Sequence, residues 1–358
     1  MNILRIYPQI PPCKGGMEQH IKNLTIEQIK QGHSITLVYN QGNKINANDI
    51  VILSRFKLLK IKPQFIGILF FYIIVILKLI IKKHNTYDVI HIHGDWSSLL
   101  LSKIIKMVTK AKLIIYSNHG KVNIDNLRYN LLISQIKKAD IVFCTGYETF
   151  EIIKKITKKK VIFQPSGIRG SIVENKKNNI LKKNNYNLLT IANFVPVKNI
   201  GLILDIAKKM PHSNFYIIGD GPLRKKFEDR ILNEKINNVT ILGYLNDNEI
   251  CHYFKICSIY LMTSIEEGFP TSILEAMHFG LPIISSNAGK IEYIIKNGIN
   301  GFTIKGYNLW DYVNYIEELQ NNNTLYSIIS GNNEKIAKKF CWERVASNIS
   351  FEISKKLN

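Results

Sequence analysis

The sequence predicts an α/β protein built from two successive, doubly wound parallel sheets. Short β-rich runs alternate with helical segments along the whole chain, which is the pattern of parallel strands joined by crossover helices. At 358 residues the chain is too long for one ordinary core, so we expect two domains. Hydrophobic residues make up 46% of the chain, which indicates a folded globular protein.

Eleven segments have the length and composition of strands. They are 3–7, 35–39, 89–93, 113–117, 141–144 and 161–163 in the first half, and 188–192, 215–219, 239–242, 259–262 and 283–285 in the second. Proline, serine and glycine interrupt the pattern at 164–170, which predicts a break between domains. We therefore expect a first domain over 1–164, a second over 165–340, and a C-terminal helix over 341–358.

Charge is unevenly distributed along the chain. The net charge is +21, and residues 1–164 hold 25 Lys and Arg against 9 Asp and Glu, a net charge of +16. Nucleic acid, an anionic membrane or a polyanionic substrate would each explain this excess. A general bias toward lysine is the simpler explanation, although it would enrich both halves. Because no nucleic-acid module or stacking motif accompanies the charge, we expect no nucleic-acid partner.

The cysteines and the N-terminus both predict a cytoplasmic protein. Five cysteines contain no C-x2-C pair and are odd in number, which argues against a disulfide framework and a zinc site. The first residues run directly into a strand-like segment and lack the features of a signal peptide.

Residues 65–77 form an apolar run that Lys78 interrupts. A helix that spans a bilayer needs about 20 apolar residues, so this run is short for that role. A buried helix on the sheet and a helix lying on a membrane surface are the other interpretations. We favour the surface helix, because lysines that suit lipid headgroups flank the run at Lys57, Lys60, Lys62, Lys78, Lys82 and Lys83.

The segment 264–280 carries the strongest chemical signal. Glu267 and Glu275 lie eight positions apart, with a Gly-Phe-Pro-Thr-Ser turn between them. Ser272 and Glu275 have the spacing of a capping box, which predicts a helix that starts near Ser272, and Gly280 predicts its end. Free amides at the start of this helix would form an anion site between two carboxylates. A nucleotide sugar requires such a site.

Glu267 and Glu275, within E-G-F-P-T-S-I-L-E-A-M, resemble the E-x7-E motif of retaining glycosyltransferases of family 4. The resemblance implies the GT-B fold, in which two Rossmann-like domains face across a cleft. It also implies that Glu275 accepts ribose hydroxyls and that Glu267 holds the donor sugar. The donor-binding residues expected from this segment are Glu267, Gly268, Phe269, Thr271, Ser272, Ile273 and Glu275. The plainer interpretation is that Glu275 only caps its helix and Glu267 is a solvated loop charge.

Two further segments of the first half resemble the family. Gly15 and Gly16 follow the first strand, where the family has a glycine pair beside the cleft. His119 ends another strand and matches a family histidine that faces the sugar, so we expect it to orient and polarise the reacting groups. His91 and His93 lie on one face of a strand, but no third ligand is spaced to join them. We therefore expect no metal site.

The second half supplies the remaining donor-binding candidates. Lys198 matches a family cation that neutralises the donor phosphates, whereas Asn193 stands where the family has arginine. Arg224 is a candidate substitute, although a solvated charge on a helix is the plainer interpretation. Gly219 and Gly221 resemble the family turn near the nucleotide. Tyr244 lies in the element whose backbone reads the base, and backbone contacts do not distinguish uracil from guanine.

These observations predict a retaining, metal-independent glycosyltransferase with His119, Glu267 and Lys198 as its catalytic residues. We expect no cofactor, a nucleotide-diphosphate sugar as co-substrate (UDP-sugar favoured over GDP-sugar), and a lipid-linked saccharide acceptor at the inner membrane surface. The corresponding pathway would build capsule, O-antigen or exopolysaccharide. A glycolipid synthase acting on diacylglycerol, a nucleotide-sugar 2-epimerase and a catalytically silent binding protein are the alternatives.

Overall fold

The computed structural model describes residues 1–13, 16–46, 48–52, 58–62, 64–81, 86–120, 122, 128–175 and 187–358. The chain divides into two compact units, which are Met1–Ser166 with Trp342–Asn358, and Gly167–Cys341. The breaks expected after residues 164 and 340 fall after residues 166 and 341. Gly15, Lys57, Lys82 and Lys83 lie outside the described residues.

The strands and helices alternate as the sequence predicts. The strands are β1 (Asn2–Ile6), β2 (Ser34–Tyr39), β3 (Ile50–Val51), β4 (Val89–Gly94), β5 (Leu113–Asn118), β6 (Ile141–Cys144), β7 (Lys160–Phe163), β8 (Asn187–Ile191), β9 (Asn214–Ile218), β10 (Val239–Gly243), β11 (Ile259–Met262), β12 (Ile283–Ser286) and β13 (Gly301–Ile304). The helices are α1 (Gly16–Lys30), α2 (Gln64–Ile81), α3 (Ser102–Thr109), α4 (Arg128–Ile136), α5 (Tyr147–Ile156), α6 (Gly170–Asn175), α7 (Ile200–Lys209), α8 (Arg224–Asn233), α9 (Asp247–Ile256), α10 (Thr271–His278), α11 (Leu309–Asn321), α12 (Asn323–Ala337) and α13 (Trp342–Leu357). All eleven predicted strands are present, and β3 and β13 were not predicted.

The first unit contains a parallel sheet in the order β3-β2-β1-β4-β5-β6-β7. The strand order reverses between β1 and β4, so this point of the sheet is a topological switch point. The C-terminal helix α13 belongs to this unit and packs against α1. Its buried residues Trp342, Val345, Ile349 and Ile353 recur at helical spacing and join Ile3 and other strand residues in one core cluster.

The second unit contains a parallel sheet in the order β10-β9-β8-β11-β12-β13. Here the order reverses between β8 and β11. The two sheets confirm the predicted α/β class with two doubly wound, Rossmann-like domains. In sheets of this kind, ligands bind outside the carboxyl ends of the strands at the switch point.

Helix α2 has a buried face and an exposed apolar face. Phe71, Tyr72 and Val75 are at most 1% exposed and join the core of the first unit. The opposite face presents Phe70, Ile73, Leu77, Ile80 and Ile81, whose exposed fractions lie between 40% and 79%. The helix therefore contributes to the core while leaving a row of apolar side chains uncovered. Over the part of the chain that the structure describes, no helix combines the length and apolarity needed to cross a membrane.

Candidate functional site

The side chains expected to bind the donor lie at the carboxyl edge of the second sheet. Lys198 follows β8 and Glu267 follows β11, so they stand on opposite sides of the switch point. The two loops are joined by backbone and side-chain hydrogen bonds. The amide of Ile265 donates to the carbonyl of Val197 over 2.7 Å, and the hydroxyl of Thr263 donates to the carbonyl of Asn199 over 3.0 Å. These bonds hold the Lys198 and Glu267 loops in fixed register.

Lys198 and Glu267 are in direct contact. The Nζ atom of Lys198 lies 2.6 Å from Oε1 of Glu267, and the hydroxyl of Ser264 donates to the same oxygen over 2.8 Å. Both side chains are largely buried, with 20% of Lys198 and 11% of Glu267 exposed. Among the described residues, Oε2 of Glu267 makes no hydrogen bond. An acceptor oxygen and a cation are therefore presented together at the switch point.

Helix α10 begins one residue earlier than predicted and without a capping box. Its N-cap is Pro270, which has no side-chain cap, and Thr271 is the first helical residue. The capping-box prediction is wrong because both of its side chains have other partners. Ser272 accepts a hydrogen bond from the Tyr260 hydroxyl over 2.7 Å, and Glu275 pairs with Arg169.

The predicted end of α10 is confirmed. Gly280 has a φ of +70°, and its amide donates to Met277 over 2.9 Å. The amide of Leu281 donates to Ala276 over 3.0 Å, which completes a Schellman motif. Glycine is favoured here because a side chain is strained in this conformation.

The first turn of α10 contains amides that the regular helix ladder leaves available. Thr271 and Ser272 are the first residues of the helix, so their amides precede the regular i to i−4 ladder. The amide of Ile273 donates to Pro270 over 3.1 Å, and its side chain is fully buried in the core. Within this first turn, the amides of Thr271 and Ser272 are therefore available to a ligand, whereas that of Ile273 is already bonded.

Glu275 is 3% exposed and is held by an arginine that the sequence reasoning missed. Arg169 donates from Nε to Oε1 of Glu275 over 2.7 Å and from its NH2 group to Oε2 over 2.9 Å. Its NH1 group pairs with Asp247, which in turn accepts from the Ser171 hydroxyl. A buried carboxylate requires a partner, so the composition of this segment signals that a cation is needed without identifying it.

Glycines allow two neighbouring loops to approach closely at this edge of the sheet. Gly219 has a φ of +135°, and a Cβ atom there would lie 1.9 Å from the carbonyl oxygen of Ala192. A Cβ atom at Gly221 would lie 2.7 Å from the carbonyl oxygen of Phe194. Asn193 lies between these two contact points and is exposed. The Gly219 turn therefore packs directly on the loop that carries Asn193.

The other candidates of this domain fall on the same edge. Tyr244 follows β10 and is 70% exposed, and Gly268 and Phe269 lie in the loop before α10. Arg224 pairs with Asp220 over 2.9 Å and with Glu228 over 2.7 Å. Its charge is thus already balanced by two carboxylates, as the plainer interpretation expects.

In the first unit, three histidines from separate elements come together. His119 follows β5, and its Nε2 atom lies 3.1 Å from Nδ1 of His93. His20 comes from α1, which begins at Gly16, and its ring lies 4.5 Å from that of His119 between centroids. One ligand nitrogen from each of the three lies within 4.8 Å of the other two. Sequence spacing offers no third ligand for His91 and His93, whereas the fold places His20 and His119 beside His93.

Burial keeps these histidines neutral. It lowers the pKa of His119 to about 3 and, with neighbouring charges, lowers the pKa of His20, His91 and His93 well below the usual value. The Nε2 atoms of His20 and His93 are buried without a partner among the described residues. His20 also bonds the Ser166 hydroxyl through Nδ1 over 2.8 Å. The cluster can exchange hydrogen bonds with a ligand, but it carries little positive charge at neutral pH.

Comparison with known proteins identifies the family. A family model described as Glycosyltransferase Family 4 matches residues 14–169, and one described as Glycosyl transferases group 1 matches residues 171–336. The chain belongs to the group 1 glycosyltransferases. The first range lies almost entirely in the first unit of this glycosyltransferase, and the second range lies in its second unit.

Relatives and solved structures agree with this assignment. The glycosyltransferase is 25% identical over 355 residues to an uncharacterised glycosyltransferase of Methanocaldococcus jannaschii, with 94% of each chain covered. It is 25% identical over 286 residues to the UDP-Gal:α-D-GlcNAc-diphosphoundecaprenol α-1,3-galactosyltransferase of Escherichia coli, with 72% of this chain and 73% of that one covered. The fold matches the Anabaena HepE structure in complex with UDP and glucose, with a TM-score of 0.72, 17% identity and coverage of 99% and 100%. These matches confirm the GT-B fold.

Proposed function

We propose that this glycosyltransferase moves a hexose from a nucleotide-diphosphate sugar to a lipid-linked saccharide, with retention of anomeric configuration and without a metal ion. The observation that carries the proposal is the pairing of Lys198 with Glu267 beside the first turn of α10. At this switch point a cation and helix amides match the diphosphate leaving group of the donor, and a carboxylate matches its sugar hydroxyls.

The proposed roles follow from the chemistry of each group. Lys198 and the amides of Thr271 and Ser272 would stabilise the departing diphosphate. Glu267 would accept sugar hydroxyls through Oε2, since Oε1 already accepts from Lys198 and Ser264. Glu275 would accept ribose hydroxyls. Asn193, Gly219, Gly221, Tyr244, Gly268 and Phe269 would line the rest of the donor site in the second domain.

The chemical step needs no dedicated base. In front-face transfer, the bond between the anomeric carbon and the diphosphate oxygen breaks while the acceptor oxygen bonds to the same face of that carbon. The departing phosphate oxygen takes the acceptor proton. His119, neutral at pH 7, would orient the acceptor by hydrogen bonding. The role of a divalent ion would fall to Lys198 and the helix amides, so we propose that transfer continues in the presence of a chelator.

The acceptor proposal rests on a relative and on the first domain. The Escherichia coli relative is named for transfer from UDP-Gal to GlcNAc on diphosphoundecaprenol. We propose an acceptor of the same class here, in the synthesis of a cell-surface polysaccharide, with a UDP-sugar as donor. A diacylglycerol-type acceptor is the nearer alternative.

Contact with the inner face of the cytoplasmic membrane would bring the enzyme to such an acceptor. The exposed apolar face of α2 supplies side chains that can enter the headgroup region, and Lys60 and Lys62 near its start are exposed. Lys78 was expected to contact lipid headgroups, but it forms a hydrogen bond within the domain. Its Nζ atom donates to the carbonyl of Val51 over 2.8 Å, so its charge is engaged within the domain.

One assay distinguishes the proposal from its alternatives. The protein is incubated with UDP-, GDP- and ADP-sugars, with and without polyprenyl-diphosphate-linked GlcNAc or diacylglycerol, in buffer containing EDTA. The proposal is supported if sugar is transferred to the polyprenyl acceptor and NMR shows that the product has the anomeric configuration of the donor. Transfer to diacylglycerol indicates a glycolipid synthase, interconversion of the donor indicates an epimerase, and binding without turnover indicates a silent protein.

A further inference from the structure

Arg169 occupies a position that joins two elements of the second unit. It directly precedes α6, and the buried side chains of Ile168 and Ile172 anchor the backbone on either side of it. The amide of Ile168 also donates to Phe340 over 2.8 Å, and the amide of Ile172 donates to the carbonyl of Arg169 over 3.0 Å. The base of the Arg169 side chain is therefore fixed by core packing.

The guanidinium is held by two acids. It holds both oxygens of Glu275, over 2.7 and 2.9 Å, through Nε and NH2, and it reaches Asp247 at the start of α9 through NH1. Although burial would lower its pKa, the hydrogen bonds and charges of Glu275 and Asp247 raise the pKa of Arg169 above the ordinary value. About two-thirds of the Arg169 side chain and nearly all of Glu275 are shielded from solvent.

We infer that Arg169 is a positioning residue that fixes the carboxylate of Glu275 for ribose recognition. This inference rests on the proposed function, in which Glu275 accepts ribose hydroxyls. A carboxylate offers about four acceptor positions, and Arg169 occupies one on each oxygen. The bidentate pair prevents rotation of the carboxylate in a buried site. The remaining acceptor positions then have fixed directions, so only a ligand with correctly placed hydroxyls is bound well.

Substitution of Arg169 should therefore weaken the binding of nucleotides that carry ribose hydroxyls more than the binding of nucleotides that lack them. Hydrogen bonds to charged groups change binding by about 10- to 100-fold. The wild type should bind UDP at least about tenfold more tightly than 2′,3′-dideoxy-UDP. Arg169→Met should bring this ratio of affinities close to one, chiefly by weakening the binding of UDP. Arg169→Lys, which keeps the charge but cannot form the bidentate pair, should give an intermediate ratio and guards against misfolding of the Met variant.

Calorimetric titration of both nucleotides separates the possible outcomes. Glu275→Gln establishes whether Glu275 reads the ribose, and melting temperatures establish that each variant is folded. One outcome is that a folded Arg169→Met variant keeps the wild-type ratio of UDP to dideoxy-UDP affinity while Glu275→Gln loses it. In that case Arg169 is only structural and the inference is overturned. Equal weakening of UDP and dideoxy-UDP in the Met and Lys variants would overturn it as well. Failure of the wild type to bind any nucleoside diphosphate would instead refute the proposed function.

Discussion

Lys198 donates to Glu267 across the point at which the strand order of the second sheet reverses, with 2.6 Å between Nζ and Oε1. Each residue is fixed by its own loop, and the two loops are joined by hydrogen bonds. A ligand that enters this edge of the sheet would therefore meet a cation and a carboxylate whose positions are already set. Such preorganisation is the main source of electrostatic stabilisation in enzymes.

Removal of either member of this pair should slow transfer. Lys198→Met and Glu267→Gln should each lower kcat by about 10² to 10³, because each removes a group that acts on developing charge. Steady-state transfer rates measure the effect. Lys208→Met is the matched control, since Lys208 forms a 3.0 Å ion pair with Glu234 on the exposed surface of the same domain. A control that loses as much activity as the two site variants would contradict the assignment.

Asn193 leaves the proposed donor site with one cation fewer than the resemblance implies. Asn193 is exposed, so a longer side chain fits without displacing the core. Asn193→Arg should raise kcat/KM for the donor by about tenfold, because a second cation would offset charge on the departing diphosphate. If initial rates at low donor concentration are unchanged or lower, Asn193 is suited to a hydrogen-bonding role and the charge argument is wrong.

The low pKa values of four histidines should make stability depend on pH. His20, His91, His93 and His119 have folded-state pKa values below the unfolded value near 6.5. Their contribution is therefore complete above pH 6.5 and is lost as the pH falls below it. Each can remove up to about 1.4 kcal/mol per pH unit from the free energy of unfolding. Urea unfolding at pH 7.5 and pH 5.5 measures the loss, and equal stability at both would contradict the burial of the cluster.

The exposed face of α2 should control vesicle binding. Leu77→Glu combined with Ile80→Glu should reduce sedimentation with anionic vesicles several-fold, since it places two charges on an apolar surface that is more than half exposed. Ile328→Glu is the control, because Ile328 is 53% exposed in the second domain. Undiminished sedimentation of the double variant would remove the membrane proposal.

The turn at Gly219 should tolerate no side chain. Gly219→Ala should destabilise the protein by more than about 3 kcal/mol and weaken nucleotide binding, because the new Cβ atom would meet the carbonyl of Ala192. Gly298→Ala measures the cost of backbone strain without a steric clash. Gly298 has a φ of +73°, and no atom lies within 4 Å of the added Cβ. This substitution should cost only about 1 kcal/mol. Chemical denaturation that ranks the two equally would show that the contact at Gly219 is unimportant.

The sequence predicted the sheets better than it predicted the contacts between side chains. Alternation and strand length located eleven strands, whereas β3 has two residues and offers no pattern to recognise. Ser272 and Glu275 have the spacing of a capping box, but the structure contains no capping box at the start of α10. Tyr260 and Arg169 bind those side chains instead, and Arg169 comes from a distant part of the chain. The histidine cluster was missed for the same reason.

The proposed function requires that the second domain bind the diphosphate and ribose of an activated sugar with Lys198, Glu275 and the start of α10. A thermal-shift titration with UDP, GDP and ADP tests it most directly, because a ligand that binds only the native state raises the melting temperature. UDP should raise the melting temperature of the wild type by roughly 5 °C at a concentration a hundred times its Kd, and Lys198→Met and Glu275→Gln should lose most of that shift. No shift with any nucleotide, or equal shifts in wild type and variants, would contradict the account.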